Sequence, residues 1–228
     1  MRAPIAVALD APDAETAARW ARAVTPHVAV VKVGLELFCR TGPSIVDSVR
    51  GGSGAELFLD LKLHDIPNTV GGAVRSVAGL KPRYLTVHAS GGADMVRAAV
   101  DAGEGITIAA VTVLTSMSDQ VLDSVGLQGP PIDAVRRLAA LAVGAGAGAL
   151  VCSPHEVAAV RAVVGPDVVL ITPGVRPVGA DVQDQARVAT PEQALADGAD
   201  LLVIGRPITG AADPGAAAAR IAASLPRR

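Results

Sequence analysis

Leu57-Phe58-Leu59-Asp60-Leu61-Lys62-Leu63-His64-Asp65-Ile66-Pro67-Asn68-Thr69 runs from an apolar stretch into charge and then into a Pro-Asn-Thr segment. Side chains two apart on a strand share a face. Asp60 and Lys62 therefore point one way, into the mouth of a barrel, while Leu59 and Leu61 face covering helices. Asp65 follows the strand, so the pleat does not fix its direction. Ile66-Pro67-Asn68-Thr69 reads as a loop opening the third helix.

The same strand-to-helix alternation extends over the chain. Apolar, β-rich runs fall at Ile5–Leu9, Val28–Val33, Leu57–Leu61, Tyr84–Val87, Thr107–Val113, Ala149–Cys152, Val168–Ile171 and Leu201–Ile204. Ala-rich segments of helical period lie between them, such as Ala14–Val24, Met95–Ala102 and Ile132–Val143. Alternating strands and helices predict right-handed βαβ units and a parallel sheet. Eight units in 228 residues fit an α/β fold of the (β/α)8 TIM barrel type, one domain over residues 1–228. No GxGxxG follows the first strand, which weakens a dinucleotide-binding reading. Gly51-Gly52-Ser53-Gly54 reads as a helix-to-strand loop rather than a linker.

Composition narrows the partners. Half of the residues are hydrophobic, enough for one sizeable core, and aromatics make up only 2%. A net charge of −2 argues against a nucleic-acid partner, which would need a basic face. Cys39 and Cys152 stand far apart without metal-ligand spacing, which predicts buried small hydrophobes and a reducing cytoplasm. No leader segment is visible. The uncharged stretch from Leu138 to Pro154 is too short and Gly-interrupted for a bilayer span, and reads as a helix end, a turn and a new strand. No membrane association is expected.

Polar residues gather where strands end: Asp10, Lys32, Asp60 with Lys62, His88, Thr115, Pro173-Gly174 and Gly205-Arg206. In this fold those ends build the active site, although any one such residue can simply cap the next helix. A buried Asp beside a buried Lys is costly unless the two pair. DxKxxD alone fits a structural ion pair as well as catalysis. Lys32, ending the second strand, adds a second cation. Two lysines and two aspartates then make a near-neutral alternating network of the kind that preorganised electrostatic catalysis requires.

Asp-Leu-Lys-Leu-His-Asp-Ile-Pro-Asn-Thr (60–69) resembles the signature of the orotidine 5′-phosphate decarboxylase family, in its bacterial form. The similarity covers essentially the whole chain. It takes in Ala8-Leu9-Asp10, Val31-Lys32-Val33-Gly34, Thr86-Val87-His88-Ala89, Val113-Leu114-Thr115-Ser116, Thr172-Pro173-Gly174-Val175-Arg176-Pro177, Asp184-Gln185 and Val203-Ile204-Gly205-Arg206-Pro207-Ile208. DxKxxD is shared with related sugar-phosphate barrels, whereas the Ile-Pro-Asn-Thr and Pro-Gly-Val-Arg-Pro segments are far more specific. Leu63, where Phe is common, is a conservative departure.

The resemblance implies decarboxylation of orotidine 5′-phosphate to uridine 5′-phosphate without a cofactor or metal, as the last step of de novo UMP synthesis. Lys62 is then the general acid, Asp60 stands against the substrate carboxylate, Lys32 bridges the network and touches the ribose, and Asp10 binds ribose hydroxyls. Asp65, Ile66 and Thr69 enter the neighbouring subunit's site in a two-fold homodimer, with Pro67 and Asn68 in the same substrate-binding segment. Gly205 and Arg206 take the phosphate, Arg176 and Gln185 form a lid over phosphate and base, and Thr115 binds the pyrimidine edge.

The histidines read as support. His27 and His155 lie near helix boundaries, and His64 packs beneath the signature loop. His88 either backs Asp60 and Lys62 or is a satisfied strand-end residue. Trp20 reads as core. Two rivals stay open: a keto-sugar-phosphate decarboxylase or aldolase, needing a divalent metal and carboxylates such as Glu36, and a non-catalytic barrel that binds a phosphate ligand.

Overall fold

The computed structural model describes residues 2–51, 54–127, 129–176 and 189–226. Eight strands form a closed parallel barrel: β1 (Ala3–Ala8), β2 (Val28–Gly34), β3 (Glu56–Leu63), β4 (Tyr84–His88), β5 (Thr107–Val111), β6 (Ala149–Val151), β7 (Val169–Thr172) and β8 (Leu201–Ile204). Closure comes from β8 pairing with β1, with Leu202 against Ile5 and Ile204 against Val7. The expected barrel is thus the observed one, with strand ends within about two residues of the apolar runs.

Strand alternation divides the core into two layers. Outward residues, among them Ile5, Val7, Val31, Val33, Leu57, Leu59, Leu85, Leu150, Leu170 and Leu202, pack under the helices. Inward residues form a separate plug with one from each strand: Ala6, Val30, Phe58, Tyr84, Ala109, Ala149, Ile171 and Leu201. Bulk is balanced around the ring. Phe58 and Tyr84 meet edge to face at 5.8 Å, and the small alanines of β1, β5 and β6 offset their bulk.

The helices carry their own signals. Asp13 accepts from the Thr16 N–H at 2.7 Å to start Ala14–Val24, the span its periodicity predicts. At the N-terminal end of the barrel, the Arg161 guanidinium donates to the carbonyls of Gly165, Val168 and Gly198 and pairs with Asp200. Among the described residues no helix is long and apolar enough to cross a membrane. The stretch after Leu138 ends the helix Pro131–Gly144, turns, and enters β6.

Three local expectations need correction. Pro67-Asn68-Thr69 is the first turn of the helix Pro67–Ala78 rather than a loop, because Pro at the first helical position loses no backbone bond there. That helix is the fourth, since Leu35–Thr41 and Ile45–Arg50 precede it. Cys39 is exposed, because the short helix Leu35–Thr41 buries only Leu37; Cys152 is buried as expected. Gly52 and Ser53, in the predicted helix-to-strand loop, lie outside the described residues.

Phe58 is the largest fully buried side chain of the inner plug. Phe58→Ala is expected to lower unfolding free energy by about 3–5 kcal/mol, read from urea denaturation midpoints. A loss below about 1 kcal/mol, the size of a surface change, would mean that this layer does not hold the barrel.

Candidate active site

Moving two residues along each strand from the apolar plug reaches the residues above it: Ala8, Lys32, Asp60, Thr86, Val111, Val151, Pro173 and Val203. All but Thr86 line a cavity of about 580 Å³ at the C-terminal end of the barrel. Two residues further come Asp10, Gly34, Lys62, Val113, Val175 and Gly205, which also line it. The pleat lifts the strand residues of the first set out of the packed core, and most of the second set follow just past the strand ends, so that together they line an open mouth.

One wall is charged. Asp60 lies between two ammonium groups, with Lys62 Nζ 2.7 Å from Oδ1 and Lys32 Nζ 3.2 Å from Oδ2. Lys32 is buried and also reaches Asp10 Oδ1 at 3.6 Å. Burial alone would raise the Asp60 carboxyl, but Lys32 and Lys62 outweigh it and hold the group below its ordinary value of 3.8. Asp60 thus remains a carboxylate at neutral pH, and the buried lysine is compensated.

Two features around this wall have no obvious sequence signal. A Cβ on Gly34 would stand 2.9 Å from Asp10 Oδ1 and 3.0 Å from Lys32 Nζ, so a side chain there would push the tips of that pair aside. Lys62 has φ of +50°, a left-handed conformation that costs a non-glycine residue about 1–2 kcal/mol. The pairing of β3 with β4 shifts register there: Leu59 faces Leu85, yet Leu63 faces Val87. Buried Thr86 is the neighbour that touches the displaced segment, accepting from the Lys62 N–H at 2.8 Å and donating to Asp60 Oδ1 at 3.1 Å.

Strand four therefore supports Asp60 and Lys62 through the hydrogen bonds of Thr86, and of the two readings open for His88 no hydrogen bond to either residue supports the first among the described residues. The His88 ring lies against His64, with centroids 5.4 Å apart. Burial, then His64 and Lys62, push His88 below the ordinary histidine value of 6.5 against the pull of Asp60, which keeps it neutral. His64 is exposed and stacked on His88, not packed beneath the signature loop.

The facing wall is apolar, with Val111, Val113, Leu114, Val151 and Val203. Cys152 joins it as a neutral group, its thiol pushed up to about 12 by burial and by nearby Glu156. Thr115 lies at the rim. Cationic groups meet at the far end, where Arg206 and Gly205 line the cavity with Arg176. Arg176 is buried, and its Nε has no hydrogen-bond partner among the described residues. A buried guanidinium with a spare donor suits an anion. Gln185 falls outside the described residues.

Asp65, Ile66, Pro67, Asn68 and Thr69 do not join this cavity within the chain. All five are exposed, Ile66 at 66%, and Asp65 Oδ1 accepts from the Ile66 N–H at 2.6 Å. Glu36 sits on the rim, paired with Arg40 at 3.3 Å. Among the described residues no three His, Cys, Asp or Glu side chains gather as a metal would require.

Comparison with known proteins agrees with this geometry. The model of the orotidine 5′-phosphate decarboxylase / HUMPS family matches residues 3–221. An orotidine 5′-phosphate decarboxylase of Thermobifida fusca is 72% identical over 99% of this chain and 97% of its own. Its counterpart in Frankia casuarinae is 61% identical over 98% of this chain and 88% of its own. The crystal structure of orotidine 5′-phosphate decarboxylase from Lactobacillus acidophilus superposes with a TM-score of 0.83 at 36% identity, covering 96% of this chain and 97% of that one.

The depressed Asp60 carboxyl fixes a pH dependence. A carboxylate whose folded value lies below its unfolded one stabilises the fold above the unfolded value, and that contribution fades as pH falls through the folded one. Asp60→Asn is thus expected to lose about 3 kcal/mol near neutral pH, since it strands two cations. The gap to the native protein should narrow only below 3.8, as followed by urea denaturation across pH. A gap that grows in acid would contradict this assignment.

Proposed function

We propose that this chain, which belongs to the orotidine 5′-phosphate decarboxylase / HUMPS family, decarboxylates orotidine 5′-phosphate to uridine 5′-phosphate and carbon dioxide, the last step of de novo UMP synthesis. Residues 1–228 act in this reading as one barrel unit. The observation that carries the chemistry is the Asp60 carboxylate fixed between Lys32 and Lys62 opposite an apolar wall.

Three parts of the substrate match three parts of the cavity. The phosphate goes to Arg206, the Gly205 backbone and Arg176, with Gln185 completing a lid. The ribose hydroxyls lie against Asp10 and Lys32. The pyrimidine edge meets Thr115, and its carboxylate lies by Asp60, facing the apolar side into which neutral carbon dioxide departs.

In the reaction the bond from the ring carbon to the carboxylate breaks and its electron pair stays on the ring. The Lys62 ammonium stabilises that charge as it develops and transfers a proton to the same carbon, becoming an amine that regains its proton from solvent. Asp60 holds Lys62 in place and repels the substrate carboxylate until it leaves. The donors belong to the protein, so no cofactor enters these steps.

The exposed segment Asp65–Thr69 completes the site of a second copy in a two-fold homodimer. Supporting this are the large exposed Ile66 and an exposed Asp65 whose side chain pairs with no lysine among the described residues. The two free thiols suit the reducing cytoplasm, the compartment this reading assigns.

A mixing experiment tests chemistry and assembly together. The native protein is expected to consume orotidine 5′-phosphate in EDTA, read as loss of orotate absorbance. Lys62→Ala should fall by at least about 10²-fold, and Asp65→Ala should fall strongly too. Unfolding and refolding the two variants together should restore about a quarter of native activity, because one site in each mixed dimer is intact. Recovery no greater than the sum of the separate variants would exclude a shared site. Activity that appears only with a divalent metal and a keto-sugar phosphate would replace the proposed reaction.

A further inference from the structure

We propose that Thr86 is a positioning residue for this decarboxylation: its buried hydroxyl sets where the Lys62 ammonium and the Asp60 carboxylate stand. The inference rests on the reaction proposed above. Thr86 is fully buried on β4, directly above the Tyr84 of the inner plug. Its hydroxyl accepts from the Lys62 N–H at 2.8 Å and gives its own proton to Asp60 Oδ1 at 3.1 Å. A hydroxyl has one proton, so making both bonds fixes its orientation.

These bonds close a ring. Lys62 Nζ reaches the same Asp60 Oδ1 at 2.7 Å, so the backbone and the tip of one lysine are tied to one carboxylate through one threonine. The tie falls where the ladder fails to hold the chain. Between Leu59 and Leu63, β3 spends four residue steps against the two that β4 takes from Leu85 to Val87, and Lys62 stands at φ +50°. A displaced, left-handed residue keeps one position only if its surroundings over-determine it. Valine would fill the Thr86 site equally well but supply neither bond. The Lys62 tip would then sample positions away from the reacting carbon, and a displacement near 1 Å costs about 10²-fold in rate.

The test compares native protein with Thr86→Val and Thr86→Ser in steady-state turnover of orotidine 5′-phosphate, binding of uridine 5′-phosphate and thermal melting. Thr86→Val is expected to lower kcat by about 10- to 100-fold while KM and product affinity stay within about threefold. Its acid limb should move to higher pH, because the ionised Asp60 has lost a donor. Thr86→Ser, which keeps the hydroxyl, should recover most of the rate. Native turnover by Thr86→Val would overturn the inference. So would equal loss in both variants with product binding and melting temperature falling in parallel, the pattern of a purely structural residue. A native protein inert towards orotidine 5′-phosphate would overturn the proposed reaction itself, and that outcome is distinguishable because it does not depend on either variant.

Discussion

A carboxylate pinned between two ammonium groups at the top of an apolar plug constrains everything around it. Asp60 takes Lys62 on one oxygen and Lys32 on the other, and Lys32 is buried with Asp10 as its second counter-charge. Removing Asp60 strands the buried Lys32 ammonium, and removing Lys32 takes one of its two counter-charges from the Asp60 carboxylate, each where water is scarce. The neighbours are correspondingly narrow in choice. Gly34 leaves the tips of Asp10 and Lys32 their space, Thr86 reaches Asp60, and Lys62 accepts a left-handed backbone.

Strand period places this cluster. Each strand gives one residue to the plug, and the same alternation that packs Phe58 against Tyr84 raises Asp60 and Thr86 one step higher, with Asp60 lining the cavity. The rigid plug lets the charged layer be held without ordering a loop. In the proposed reaction the ammonium is already in place before charge develops on the ring, which is the advantage of preorganisation. In the proposed reaction the phosphate goes to Arg176 and Arg206, which line the cavity just after β7 and β8, while the proton comes from Lys62 on β3.

Much of this was legible in the chain itself, for reasons specific to each residue. Asp60 and Lys62 read as facing one way because they are two apart, and their tips do meet, although Lys62 gets there through a left-handed backbone and a register shift. Ala14–Val24 was legible from its helical period, and the Asp13 cap fixes its start in the structure. Thr86 carried no such tag: a threonine in a strand is ordinary, and its role comes from a register shift that no local pattern specifies. His88 drew attention by chemistry instead, and geometry gave it to His64. Pro67 could have been read as a helix start by the preference for Pro at the first turn. For Asp65 to Thr69 the expected role came from the family resemblance alone, since within one chain all five are exposed and outside the cavity.

The central claim is that the Lys62 ammonium faces the ring carbon and exchanges a proton with it. That step can be watched without decarboxylation, by incubating the protein with uridine 5′-phosphate in deuterated water and following the hydrogen on that carbon by proton NMR. If Lys62 delivers the proton, deuterium enters there with the native protein and fails to enter with Lys62→Ala. Equal exchange by the variant, or none by a native protein that decarboxylates, would contradict it.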